Sequence, residues 1–328
     1  MSVSEASGGE VRPAKRRLEV IDLARGLALL AMASYHLIWD FEMFGYLAPG
    51  TAGSGWPKIY ARGIAGSFLF LVGFSLVLSH WPRLRRRKFL LRLLVITAAA
   101  ALVSLGTYFA YPDVFIFYGI LHAIAVASVA ALPFVFLPPA LTLLAGLAAL
   151  ALPHFVAFPV LDPAWLAWIG LSERLPRALD FVPFFPWIAP VLFGVAAARW
   201  AEASGMLARL ADRPPSPAEP GVLRKTLSFI SRHSLAFYLV HQPILIALVW
   251  LISQAAPPDP VRSYLDSCQR GCEAQQSAGM CRRFCACTAE GLVAGDRLSA
   301  LQSGRIDAAD PGIAELVRQC SAKALEDE

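Results

Sequence analysis

The chain has 328 residues, of which 57% are hydrophobic and only 16% charged, far from the quarter-charged mix of soluble domains. That composition excludes a soluble globular enzyme and indicates an integral membrane protein. The formal net charge of +5 does not mark a nucleic-acid binder, because the basic residues stand in short clusters beside apolar runs, where topology and anionic headgroups account for them, and no nucleic-acid motif is present.

Residues 1–17 form a polar segment ending in Arg12, Lys15, Arg16 and Arg17. The apolar run that follows, 20–39, is too long for a signal peptide and has no small-residue cleavage site of the A-x-A type behind it, so it is a retained helix. Further runs long enough to span a bilayer lie at 59–80, 89–109, 114–136, 138–156, 184–201 and 227–252, giving about seven transmembrane helices in an all-α polytopic bundle. Basic residues concentrate at the start, in the second-to-third loop (Arg83, Arg85, Arg86, Arg87, Lys88) and in the sixth-to-seventh connection (Arg199, Arg209, Arg213, Arg224, Lys225). The alternate loops hold only Lys58, Arg174 and Arg177. The N-terminus is therefore expected in the cytoplasm and, with an odd number of spans, the C-terminus outside.

Residues 158–187 are too broken by proline and charge to span, and Trp165, Trp168 and Trp187 suit an external loop at the headgroup boundary. "DRPPSPAEPG", 212–221, reads as a polar cytoplasmic linker before the last span. No internal repeat of fixed period is visible. The domain division expected from the sequence is a cytoplasmic segment 1–17, a transmembrane domain 18–253 and an extramembrane tail 254–328.

All six cysteines lie in that tail, at 268, 272, 281, 285, 287 and 320. Cys268 and Cys272 are four apart, as are Cys281 and Cys285, so each pair shares a helix face. Two helices folded back through "QQSAG" would set Cys272 against Cys281 and Cys268 against Cys285, leaving Cys287 for Cys320. Such a stapled hairpin needs an oxidising compartment, which the topology independently supplies. A zinc site is the rival reading, but the C-x₂-C spacing and an accompanying His are both missing, and no metal is expected. A stabilising cap without chemistry is the plainest role for the tail.

The first span carries Asp22, Arg25, His36 and Asp40 within roughly 60° of one another on a helical projection. His36 lies about 16 Å along the axis from Arg25. An unpaired charge at the bilayer centre costs at least about 2.5–3.5 kcal/mol, so these groups should face the protein interior or a wet cavity. Asp22 and Arg25 can simply pair as i,i+3 neighbours, and a lone His would be unremarkable at the interface. His36 is accompanied, however. His122 in "FYGILHAIA", with Tyr118 one turn before it, and His241 in "SRHSLAFYLVHQPIL", with Ser234 and Tyr238 on its face, lie at a similar depth in other spans, and Arg62 and Asp180 stand near helix ends. A shared polar cavity is the expectation. In it a neutral His would take a proton from a hydroxyl or amine and return it to a leaving group, while Arg25 and Arg92, within or at the edge of helices, would suit a phosphate-bearing cytoplasmic donor.

The blocks "VIDLARGLALLAMASYH", "FLFLVGFSL", "FYGILHAIA", "FVPFFPWIAPVLFG" and "SRHSLAFYLVHQPIL" resemble, in this order, the heparan-alpha-glucosaminide N-acetyltransferase catalytic-domain family in its bacterial branch, over about residues 16–252. Arg25, ten residues and then His36 is also similar to the arginine-to-histidine motif of the acyltransferase type 3 membrane family. The resemblance implies a multi-pass protein of the bacterial inner membrane that moves an acetyl or other acyl group from cytoplasmic acetyl-CoA or another acyl-CoA to an extracytoplasmic hydroxyl or amine, commonly on a sugar. It implies that His36 is the catalytic histidine, that Asp22 and Arg25 form the D-x-x-R-G opening, and that His122 and His241 fall in matching histidine blocks; chemically, His36 would be the general base, and His122 and His241 would line the acceptor side or stabilise the developing oxyanion. Arg25 and Arg92 would then hold the donor. The cysteine tail lies outside the family domain. Two readings from other classes compete: a transporter or lipid-handling protein that uses the same His and Asp groups, which lacks the expected inverted repeat, and an assembly factor whose stapled tail docks an external partner.

Overall fold

The computed structural model describes residues 18–211, 221–302, 305–307 and 309–326. The basic segment 1–17 and the Pro-rich stretch 212–220, including Arg213, lie outside the described residues. Among the described residues all regular structure is helical. In chain order the helices are α1 (Glu19–Met43), α2 (Gly55–His80), α3 (Arg86–Ala110), α4 (Ile120–Ala131), α5 (Pro139–Phe155), α6 (Ala164–Ala167), α7 (Phe184–Ala203), α8 (Met206–Ala211), α9 (Val222–Arg232), α10 (Ser234–Ala255), α11 (Pro260–Glu273), α12 (Ala278–Ala294), α13 (Leu298–Gln302) and α14 (Pro311–Glu326).

Five of these, α1, α2, α3, α7 and α10, are long and apolar enough to cross a membrane. The run expected at 114–136 forms a shorter apolar helix, α4 with 12 residues, whereas the run expected at 138–156 forms α5 within a residue of those bounds, with 17; they are about 18 and 25 Å long. Proline accounts for the early end of α4 and for its separation from α5. Pro133 turns the end of α4 into a 3₁₀ turn, Pro133–Phe136, and Pro138 and Pro139 impose a fresh start on α5, because proline cannot donate to the preceding turn. The protein is a multi-pass helical membrane protein.

The helices fall into two compact units that cut across chain order, one made of residues up to Leu29 and Gly63–Leu239, the other of Leu30–Arg62 and Val240–Glu328. In the first, α7 is the central element and packs against α4 and α5. Its buried Ile188, Val191, Leu192 and Val195 meet Leu69, Leu76 and Val77 of α2 and Val135. Lipid supplies no hydrophobic drive between helices, so close backbone approach matters here. Gly73 of α2 rests on the carbonyl of Val191, and Gly194 of α7 rests on the carbonyl of Phe70. A side chain at either position would fall on that oxygen. By contrast α3 turns Leu90, Leu94, Leu102, Leu105 and Phe109 outward, as a helix bordering acyl chains would.

The second unit joins the C-terminal part of α1 and the α1–α2 loop to the tail. Glu42 shapes that loop by accepting from the amides of Gly50 at 2.5 Å and Ala52 at 2.6 Å. Tyr46 Oη donates to the carbonyl of Ala256 at 2.6 Å, and Arg270 Nη1 donates to Thr51 Oγ1 at 3.4 Å. These contacts explain why the tail shares its unit with residues 30–62. Asp259 caps α11 by accepting from Val261 N and Arg262 N, with Pro260 at the first helical position where no donor is needed. The small tail core of Leu292, Leu298 and Ile313 is reinforced by disulfides Cys268–Cys285, Cys272–Cys281 and Cys287–Cys320.

Candidate functional site

The D-x-x-R-G opening of α1 sits in the first unit. Arg25 Nη1 donates to Asp22 Oδ1 at 3.4 Å, and Arg25 Nη2 donates to Ser75 Oγ at 3.0 Å. Ser231 Oγ donates to the same Asp22 oxygen at 3.5 Å. The guanidinium is thus aimed by partners on α1 and α2, while the carboxylate also reaches α9. Gly26, next in the motif, lies on the carbonyl of Leu227 and admits α9 at a distance no side chain would allow. Arg92 of α3 is close enough to Arg25 for the two charges to repel. Two neighbouring guanidinium groups, Arg25 held by Asp22 and Ser75, favour an anionic or phosphate-bearing group between them.

His122 belongs to the same unit but has a different occupation. Its Nδ1 accepts from the amide of Gly119 at 3.3 Å, and its Nε2 lies 3.3 Å from Ser104 Oγ. Since Ser104 Oγ donates its own hydrogen to the Ile116 carbonyl at 2.6 Å, the network assigns the hydrogen to Nε2 and a neutral ring. Nδ1 thus holds the start of α4, and Nε2 ties that turn to α3. Asp180, from the loop before α7, completes that cap: its Oδ2 accepts from Ile120 N at 2.8 Å. Burial raises the Asp180 carboxyl to about 6, against the opposing effect of the Ile120 hydrogen bond.

The second unit brings His36 and His241 together, with ring centroids 5.1 Å apart and planes tilted by 60°. Tyr35 stands edge-on to His36 at 5.7 Å. One turn beyond His36, Asp40 is fully buried and its Oδ1 accepts from Gln242 Nε2 at 2.7 Å. The i,i+4 spacing of His36 and Asp40 on α1 therefore meets the consecutive pair His241 and Gln242 on α10. Asp40 was visible in sequence as part of the polar stripe, but Gln242 carried no signal beyond its place after His241.

Outside these clusters, a cavity of about 490 Å³ lined by Val126, Val129, Ala130, Trp168, Ile169, Phe184 and Phe185 holds no titratable group and offers no acid–base chemistry. Among the described residues no group of three His, Cys, Asp or Glu side chains is set to hold a metal ion.

The chain matches no curated protein and no solved structure. Its residues 17–243, more than half of the length, match the family model described as heparan-alpha-glucosaminide N-acetyltransferase, catalytic. That span contains α1 with its Arg25 and His36, the α4 cap and the His241–Gln242 step of α10. The chain belongs to this family of membrane acetyltransferases.

Proposed function

We propose that the protein transfers an acetyl or other acyl group from cytoplasmic acyl-CoA to a hydroxyl or amine on an extracytoplasmic sugar, working in the bacterial inner membrane. The observation that carries the reading is the His36–His241 pair, two imidazoles from different helices at 5.1 Å. In the transfer step His36 takes the proton of the acceptor as its oxygen or nitrogen attacks the thioester carbonyl. The tetrahedral intermediate then collapses, the C–S bond breaks, and the proton passes from the imidazolium to the departing CoA thiolate. His241, its ring beside that of His36, donates to the developing oxyanion or shares the proton. Arg25, aimed by Asp22 and Ser75, and Arg92 beside it anchor the anionic part of the donor.

Calorimetry with acetyl-CoA on purified protein in detergent tests the reading. Wild-type protein should bind in the micromolar range, Arg25→Ala should weaken binding by about tenfold or more, and His36→Ala should bind normally but transfer about 10²–10⁴-fold more slowly. A folded His36→Ala protein with full transfer activity would overturn the assignment of the base.

A further inference from the structure

The loop between α1 and α2 is tied to the side chain that flanks His36. Both carboxylate oxygens of Glu42, in the last turn of α1, accept from the loop amides of Gly50 and Ala52. Between them Thr51 Oγ1 donates to the carbonyl of Ala48 at 2.5 Å. Bonds at three successive residues fix the direction of this turn. Ala52, almost wholly buried, turns its carbonyl back to α1, where it accepts from Tyr35 Oη at 3.4 Å. Tyr35 immediately precedes His36, and its ring stands edge-on to the imidazole at 5.7 Å.

From its other side the same loop meets the tail. A Cβ at Gly45 would lie 3.6 Å from Pro258 and 3.7 Å from Ser263, and Tyr46 Oη donates to the carbonyl of Ala256. Further along, Arg270 Nη1 donates to Thr51 Oγ1, whose own hydrogen is already given to Ala48. Ser263 and Arg270 are two turns apart on one face of α11, so the helix lies along the loop instead of touching it at a point. None of the residues of α11 is buried, and packing alone does not fix it. Cys268 and Cys272, which flank Arg270, are bonded to Cys285 and Cys281 of α12. The staples therefore hold the stretch of α11 that presents Arg270 to the loop.

We infer that Arg270 and Tyr35 are the two ends of a brace through which the stapled tail sets the orientation of the His36 ring, with Thr51 and Ala52 as its middle. Tyr35 is a positioning residue, acting through His36 by limiting the rotamers open to the imidazole. The consequence for transfer rests on the acyltransferase reading, but the brace itself does not. A general base must come within hydrogen-bond reach of the proton that it takes, and a misplacement of about 1 Å can cost about 10²-fold in rate. The tail, which lies beyond the matched span 17–243, thus contributes to the rate of transfer and not to the affinity for the donor.

Carbethoxylation by diethyl pyrocarbonate reports the freedom and access of the His36 ring whatever reaction the protein performs. Its rate at His36 would be followed by peptide mass spectrometry on full-length wild type, Arg270→Ala, Tyr35→Phe and the double variant, with the exposed His233 as internal standard. Arg270 is exposed, and phenylalanine keeps the edge-on ring while removing only the hydroxyl, so both changes are mild. Each single variant should label His36 about two- to tenfold faster, the factor that one modest hydrogen bond accounts for, with His233 unchanged. The two residues do not touch, yet as parts of one brace they should not add: the double variant should label no faster than the quicker single one, whereas independent contacts would multiply. Melting temperature and acetyl-CoA affinity should stay at wild-type values throughout. A wild-type rate at His36 in Arg270→Ala, or multiplied effects in the double variant, would overturn the brace. Faster labelling accompanied by a lower melting temperature or weaker acetyl-CoA binding would mean general loosening and would overturn it too. The expected labelling pattern in a protein that binds no acetyl-CoA would keep the brace and remove the acyltransferase reading instead.

Discussion

Asp180 is a carboxylate whose surroundings oppose its charge, and this gives the first unit a pH dependence with a definite sign. Burial moves its pKa from 3.8 to about 6, so between about pH 4 and 6 the folded protein retains a proton that the unfolded chain has released. The contribution of Asp180 to stability is therefore greatest below pH 4 and is lost as pH rises through 6, by up to about 3 kcal/mol for a shift of this size. Asp180→Asn keeps an oxygen for the Ile120 amide and removes the charge. Thermal unfolding in detergent should show the wild-type melting temperature declining across that window and the Asp180→Asn profile staying flat; parallel slopes would refute it. At this scale the sequence was unevenly legible. Asp22 and Arg25 find each other because i,i+3 spacing is a local property, but Ser75 and Ser231, which aim them, are contributed by α2 and α9 and have no local signature. His122 carried the same sequence signal as His36 and His241, but nothing in sequence could foretell that its nitrogens meet the Gly119 amide at the start of α4 and Ser104 of α3.

At the scale of helices, the decisive contact is the reciprocal glycine crossing of α2 and α7. Gly73 and Gly194 each lie against a carbonyl of the opposite helix, and the atom in the way of a side chain is backbone, which cannot rotate aside. Gly73→Leu and Gly194→Leu should each push the helices apart and cost at least the roughly 1–3 kcal/mol of ordinary overpacking, with additional loss from the Leu69, Val77 and Val191 contacts that surround the crossing. Gly106→Leu, at a position with nothing in reach, is the control and should leave the melting temperature nearly unchanged. A Gly73→Leu protein as stable as the control would show that α2 and α7 do not meet in this way. Hydropathy located every long helix here but could not foresee the crossing, because glycine in an apolar run signals close packing without naming the partner. It also overextended the fourth run, since windowed apolarity passes through Pro133, where α4 gives way to a 3₁₀ turn.

For the whole molecule, the second unit poses the question of what holds a small tail core of Leu292, Leu298 and Ile313 in a definite fold. So few apolar residues cannot offset the ordering cost of some seventy residues of chain, and covalent staples are the usual remedy. The cysteine spacing foretold the pairing because two i,i+4 pairs on antiparallel helices can join in only one nested order, which leaves Cys287 and Cys320 to each other. The Cys287–Cys320 bridge spans 33 residues and on the chain-entropy account contributes about 3.7 kcal/mol, more than the bridges spanning 17 and 9 residues, at about 3.1 and 2.6. Replacing Cys287 and Cys320 together by serine should therefore release α14 from α12 and open the tail to limited proteolysis, while Cys272→Ser with Cys281→Ser does so less. The first unit, which contains none of these cysteines, should keep the acetyl-CoA affinity proposed for it in both variants. Protease resistance unchanged by loss of Cys287–Cys320 would mean that the tail core stands without its longest staple. Loss of acetyl-CoA binding on reduction would mean that the donor site depends on the tail, contrary to the assignment of Arg25 and Arg92.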